Sequence, residues 1–344
     1  KACCLLKPLP TTSLGGYPRF SQITRMAAAA VANPVSVPTS LGGREVLDLA
    51  SPVLNLQKID NPQASLHQCA SRFGPQTIRS LFEKLVEKGS VAKYEEINLS
   101  DNTIGDEGAA YLQKGLSGNT SLKRLTMPRA GVGAQGFKAI GQLLAESPAL
   151  ESLVLSSNIC DAEGVEGEFC NGLEKCRSLK SLVLSACRLG DTGVEHLCAG
   201  PLKAHPALEH VCLTYNRLEA ETAKSVNKVL AANKTLKYLD LCGNSLGPEG
   251  AELLVEGLKA NNGGLQQLGL AQNCIGLKGA EALCKHFLAK EGASLVFLDL
   301  RHNNVTYRGM VKLRDGILGK PMEGPEGWLL LFDESKRQLL INAH

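Results

Sequence analysis

Apolar residues return along this chain in one short motif, Leu-x-x-Leu-x-Leu, copied eight times. The copies are Tyr94, Ile97 and Leu99; Leu122, Leu125 and Met127; Leu150, Leu153 and Leu155; and Leu179, Leu182 and Leu184. They continue with Leu208, Val211 and Leu213; Leu236, Leu239 and Leu241; Leu265, Leu268 and Leu270; and Leu295, Leu298 and Leu300. Successive copies start 28, 28, 29, 29, 28, 29 and 30 residues apart. Three residues after the last apolar position stands Asn102, Asn158, Cys187, Asn216, Asn244, Asn273 or Asn303, with Ala130 the departure. A buried amide there satisfies the backbone where a strand turns out of a sheet; Cys does so weakly and Ala not at all. Next comes a Gly-x-x-Gly opening, as in Gly105-Asp-Glu-Gly108, Gly190-Asp-Thr-Gly193 and Gly247-Pro-Glu-Gly250. Apolar residues at helical spacing follow, such as Ala251, Leu254 and Leu258, or Ala280, Leu283 and Phe287. Each unit is therefore expected to be one short strand, a turn and one helix. The glycine pairs read as helix openings, because they lack the lysine and the βαβ frame of a phosphate loop.

Helices are wider than strands, so stacking such units in register bends the sheet and leaves the strands on the inner side. The pattern LxxLxLxxN/CxL at this period resembles the ribonuclease-inhibitor subtype of leucine-rich repeats, shared with NLR and Ran GTPase-activating proteins. The resemblance covers about residues 91–318 and implies an α/β fold: an open right-handed β-α horseshoe arc of about eight 28–29-residue repeats. Caps are expected at both ends, since a terminal repeat otherwise exposes its core. Residues 45–90 are read as an N-terminal helical cap, with Ile78, Leu81, Phe82, Leu85 and Val86 on one face and Gly89 as its stop. Residues 319–344 are read as a C-terminal strand pair, Trp328–Phe332 and Gln338–Ile341, with Trp328 as a lid residue.

Residues 1–44 carry Lys1, Lys7, Arg19, Arg25 and Arg44 and no acid. They read as a disordered leader: transit-like in composition, or lying upstream of a start at Met26. The remaining 32 basic and 34 acidic residues nearly balance, so nucleic acid is not an expected partner. Twelve cysteines form no CxxC pair and no zinc spacing. Several of them, Cys160, Cys187, Cys198, Cys274 and Cys284, fall at repeat positions and read as reduced thiols packed as small apolar residues. That reading places the chain in the cytoplasm, or in an organelle if the leader is a transit peptide. Neither a metal nor a cofactor is expected.

Strand alternation sends the x residues of each motif to the inner face. One column there reads Glu96, Arg124, Ser152, Ser181, His210, Tyr238, Gln267 and Phe297, and the next Asn98, Thr126, Val154, Val183, Cys212, Asp240, Gly269 and Asp299. The middle repeats are bland. The later ones gather His210, Tyr215, Tyr238, Asp240, Phe297, Asp299, Arg301 and His302, the residue types that anchor interfaces, and these are the expected partner-binding set. Glu96, Arg124 and Arg129 form a secondary candidate, or a local charge pairing.

Catalysis has little support. His210 and Cys212 share a strand face, yet a flat sheet supplies neither oxyanion donors nor an orienting third group. The chain is expected to be a non-enzymatic scaffold, monomeric by itself, that binds another protein. Two alternatives stand beside it. Leu99-Ser-Asp-Asn-Thr-Ile-Gly105 resembles the opening repeat of Ran GTPase-activating proteins, although Arg124 to Val132 lacks their inserted loop and the chain ends without their acidic tail. The other alternative is a structural subunit of a ciliary or organellar assembly.

Overall fold

The computed structural model describes residues 46–48, 74–87, 95–261, 264–289, 294–318, 328–332 and 338–342 of the 344-residue chain. Among them the backbone forms one sheet of eleven strands. Strands β2 (Glu96–Asn98), β3 (Arg124–Thr126), β4 (Ser152–Val154) and β5 (Ser181–Val183) are the first four motif copies. Strands β6 (His210–Cys212), β7 (Tyr238–Asp240), β8 (Gln267–Gly269) and β9 (Phe297–Asp299) are the other four.

The register repeats the sequence pattern without slippage. Leu125 pairs with Leu153, then in turn come Leu182, Val211, Leu239, Leu268 and Leu298, all through parallel neighbours. A one-residue slip would turn this apolar row to solvent, which is why the row holds the sheet in register. The same side chains, with Leu122, Leu150, Leu179, Leu208, Leu236, Leu265 and Leu295, are buried in one continuous core.

The asparagine column does what its spacing predicts. Asn216 donates from Nδ2 to the carbonyls of Leu184 (2.7 Å) and Thr214 (3.2 Å), while its Oδ1 accepts from the Cys187 amide at 2.9 Å. Asn158, Asn244, Asn273 and Asn303 bridge their neighbours in the same way. Cys187 substitutes weakly, with its thiol 3.2 Å from the Leu155 carbonyl.

A second buried column was not foreseen. Asn119, Ser147, Cys176, His205, Asn233 and Asn261 stand where each helix hands over to the next strand. Asn233 Oδ1 accepts from the amides of Thr235 and Leu236, both at 2.8 Å, and its Nδ2 donates to the Leu202 carbonyl at 2.7 Å. Two columns therefore stitch most repeats to the preceding one, at opposite ends of the strand, with Ala130 and Ser147 the members whose side chains make no such bridge among the described residues.

The expectation of one helix per repeat needs correction in two places. The third repeat carries helices Asp161–Val165 and Glu168–Lys175, parted at Gly167, whose φ of 66° lies in the left-handed region that favours glycine. The fourth carries Gly190–Ala199 and Pro201–Ala204, because Pro201 has no amide to continue the first helix. Helix Glu168–Lys175 presses against helix Ala134–Glu146 so closely that a Cβ on Gly172 would overlap the Gly141 carbonyl.

At the N-terminal side, helix Pro75–Glu87 buries Ile78, Leu81 and Phe82, and β1 (Val46–Asp48), which the hydrophobic pattern did not announce, pairs with β2. At the other edge β11 (Gln338–Asn342) lies parallel to β9, and β10 (Trp328–Phe332) runs antiparallel to β11. The leader and the Trp328 side chain lie outside what the structure describes. No helix among the described residues is long and apolar enough to cross a membrane.

Candidate interaction surface

The first and third residues of each strand turn away from the helices and form the open face of the sheet. His210, Tyr238, Gln267 and Phe297 are register partners across β6 to β9, so they make one continuous row. Tyr238 meets His210 edge to face, with ring centroids 6.0 Å apart. Both rings and Phe297 keep part of their surface in solvent.

Two expected contact residues are placed differently. Asp240 is fully buried and Asp299 nearly so, and neither is available to a partner. The reason is what covers them. Asp240 accepts from the Tyr238 hydroxyl at 3.0 Å and from the Cys242 amide at 2.9 Å. Asp299 holds Arg301 in a two-point ion pair, Nε to Oδ1 at 2.8 Å and Nη2 to Oδ2 at 2.5 Å. Gly269, between them in register, contributes no side chain; a Cβ there would overlap Asp240 Oδ1. The two acids act as props beneath the surface, fixing Tyr238 and Arg301.

Their charge is visible in their neighbours. Burial, reinforced by the Asp240 carboxylate, pushes the Tyr238 phenol well above its ordinary value. Burial, then Asp240 and Asp299, does the same to the Cys242 thiol, and hydrogen bonds to Asp299 raise the Arg301 guanidinium.

Tyr215 sits on the turn after β6, exposed by 54%, with its ring laid over Gly243 of the next repeat. Its hydroxyl donates to Gln272 Oε1, two repeats on, at 2.8 Å. Gly243 has a φ of 70° and leaves room for the ring; any side chain would strike it. His302 is exposed on the equivalent turn of the eighth repeat, and its amide donates to Asn342 Oδ1 of the capping strand at 2.5 Å. Gln267 and Gln272 also belong to this surface, both exposed, beyond the expected set; Gln267 stands in the same column as Tyr238.

The secondary set resolves into pairs between adjacent repeats. Arg124 is bound to Glu96, which is buried rather than exposed as its column position suggested, and Arg129 to Asp101, with Nη2 to Oδ2 at 2.8 Å. His210 and Cys212 do not form a reactive pair. Desolvation lowers the imidazole pKa, burial raises that of the thiol, and the thiol lies 3.2 Å from Ser185 Oγ. Among the described residues no group of three or more His, Cys, Asp or Glu is placed to hold a metal ion.

A family model for the leucine-rich repeat matches residues 95–112, 175–198, 232–255, 265–284 and 293–313. The chain is a leucine-rich-repeat protein of the ribonuclease-inhibitor-like type. It is 30% identical over 240 residues to ribonuclease inhibitor of Sus scrofa, covering 61% of this chain and 50% of the inhibitor. To the Mus musculus ribonuclease inhibitor it is 28% identical over 271 residues, covering 68% and 57%. The Homo sapiens NACHT, LRR and PYD domains-containing protein 3 is 29% identical over 210 residues, covering 52% of this chain and 20% of that protein. The chain thus spans about half the length of the ribonuclease inhibitors it matches.

Proposed function

We propose that this protein is a non-catalytic scaffold whose concave, helix-free sheet face binds a partner protein through its C-terminal repeats. The observation that carries this reading is the unbroken row His210, Tyr238, Gln267 and Phe297, in register and half open to solvent over buried props. Aromatic side chains fixed in this way lose little entropy on binding, which is what an interface anchor needs. Tyr215, Arg301 and His302 flank the row and extend the contact. The ribonuclease-inhibitor-like repeats support the same class of function.

Proximity labelling with the full-length protein in its native cell identifies candidate partners, and titration of a purified candidate tests the face. Tyr238→Ala and Phe297→Ala are expected to weaken binding by about tenfold or more each. Undiminished affinity in variants with native circular dichroism removes the concave face as the binding surface.

A further inference from the structure

We propose that the turn rim over the third to fifth repeats, formed by Ile159, Arg188 and Arg217, receives an acidic segment of a partner protein. This surface is separate from the sheet row and can stand or fail without it.

The rim follows from the stitching column. As the chain leaves β4, β5 and β6 it passes through Asn158, Cys187 and Asn216, all buried. Two residues later stand Cys160, Leu189 and Leu218, also buried. The residue between is pinned at both ends, so its side chain is thrown outward, and Ile159, Arg188 and Arg217 are all exposed.

Backbone preference does not explain why arginine stands there. Arg188 and Arg217 have φ of 59° and 60°, in the left-handed region that is costly for a residue carrying a Cβ. The second repeat puts Gly131, φ 69°, at this position and the eighth puts Asn304, φ 59°, the residues that region suits. Two consecutive repeats therefore carry long cationic side chains against the local preference.

Nor do the arginines serve the fold through charge. On the same side of the sheet Arg124, Arg129 and Arg301 are tied to Glu96, Asp101 and Asp299. Arg188 and Arg217 form no ion pair among the described residues, and Asp161 and Glu219, two positions further along neighbouring turns, are not drawn to them. Ile159, exposed by 50%, is one of the four large apolar side chains the described surface leaves open.

Neighbouring turns of the stack are spaced like its strands, about 4.8 Å apart. Two guanidinium forks at that separation match carboxylates close together on one peptide, each able to take two parallel hydrogen bonds. Exposed Ile159, on the turn before Arg188, suits an aliphatic or aromatic residue in the same segment. Two cations are too few for a nucleic-acid track, where affinity grows with the number of phosphates neutralised.

The test uses the full chain and three probes carrying the same dye: a short peptide of Glu and Leu, its Gln-for-Glu counterpart, and single-stranded DNA of equal charge. The acidic peptide is expected to bind, to weaken with added salt, and to lose about tenfold or more in affinity with Arg188→Glu/Arg217→Glu. Tyr238→Ala is expected to leave this binding unchanged, which separates it from the concave-face reading. Arg188→Gly/Arg217→Gly relieves the left-handed backbone, so it is expected to raise the urea midpoint while still losing the peptide. Equal binding of the Gln peptide, or retention of the acidic peptide in either arginine variant, overturns the proposal. Tighter binding of DNA through the same arginines overturns it in favour of a phosphate-binding rim.

Discussion

Tyr238 donates its hydroxyl hydrogen bond at 3.0 Å to Asp240, two residues along the same strand, and Asp240 is wholly buried beneath the ring. The carboxylate has a second donor in the Cys242 amide, at 2.9 Å, so both oxygens are engaged. Tyr238→Phe keeps the ring and removes one of the two donors. A hydrogen bond to a buried charge contributes about 1.5–3 kcal/mol, so we expect a loss of about 2 kcal/mol in urea unfolding. Partner binding should fall less than in Tyr238→Ala, because the ring survives. A stability equal to wild type would show that Asp240 does not depend on the phenol.

The stitching column yields one prediction of gain and one of loss. Asn216→Ala orphans the Cys187 and Leu189 amides and the Leu184 carbonyl, all buried beside it, while the Thr214 carbonyl keeps the Ala186 amide. Unmet buried groups cost about 1–3 kcal/mol each, and partial relaxation makes a total of about 3 kcal/mol the expectation. Cys187→Asn works in the opposite direction. It replaces a weak thiol contact to the Leu155 carbonyl with the amide that the neighbouring repeats use, and should add about 1 kcal/mol. Denaturant midpoints read both changes, and a destabilised Cys187→Asn would mean that the fourth repeat has closed around the thiol.

His205 stands in the second column and is used as an amide substitute. Its Nδ1 accepts from the amides of Ala207 (3.3 Å) and Leu208 (3.0 Å), which leaves Nε2 as the donor to the Cys176 carbonyl at 2.9 Å. Burial lowers its pKa below the ordinary 6.5, against the raising effect of the bond to Cys176. The unfolded chain therefore binds this proton first as pH falls, and its contribution to stability is intact above about 6.5. That contribution is lost as pH drops from there to the lower folded value, after which it levels off. His205→Asn installs the side chain found at Asn233 and Asn261, and should flatten that part of the stability–pH curve relative to wild type. Identical slopes in urea titrations across this window would sink the assignment.

Helices Ala134–Glu146 and Glu168–Lys175 meet through Gly141 and Gly172, where a Cβ on Gly172 would overlap the Gly141 carbonyl. Backbone cannot yield as a side chain can, so Gly172→Ala must push the helices apart. We expect a loss of about 1–3 kcal/mol, although alanine is the better helix former. A midpoint raised by the substitution would show that the helices separate freely.

The repeat period, the strand register and the first stitching column were legible because each rests on one residue type recurring at a fixed place. The second column was faint because its members are chemically mixed: Asn119, Ser147 and Cys176 share only the ability to hydrogen-bond next to the following strand. Burial of Asp240 and Asp299 was illegible for another reason. Alternation tells which face a side chain takes, while depth depends on what neighbours place over it, here the Tyr238 hydroxyl and the Arg301 fork. Gly269, with no side chain of its own, stands between the two acids, and sequence alone shows it only as a gap in a column.

The residue after each motif's first apolar position alternates in sign from repeat to repeat: Glu95, Lys123, Glu151, Lys180, Glu209 and Lys237, before it gives way to Gln266 and Val296. Each amide in this column donates to the carbonyl of the residue before it, so the side chains stand side by side. Ion pairs form between Lys123 and Glu95 (3.2 Å), Lys180 and Glu151 (3.1 Å), and Lys237 and Glu209 (2.9 Å). All are partly exposed, and each pair is worth about 0–1 kcal/mol after solvent screening. Their larger consequence concerns register. Correct neighbours are always of opposite charge, whereas a stack that skips one repeat sets like charges together. Lys180→Glu places three carboxylates in succession with Glu151 and Glu209, and should lower stability by about 1 kcal/mol at low salt. Added sodium chloride should close most of that gap, since the interaction is screened over about 10 Å at 0.1 M. Adding Glu151→Lys restores the pair but sets the new cation beside Lys123, so the double variant should recover only part of the loss. A deficit that salt does not reduce would place the effect in packing of the lysine stem and end the electrostatic account of the column.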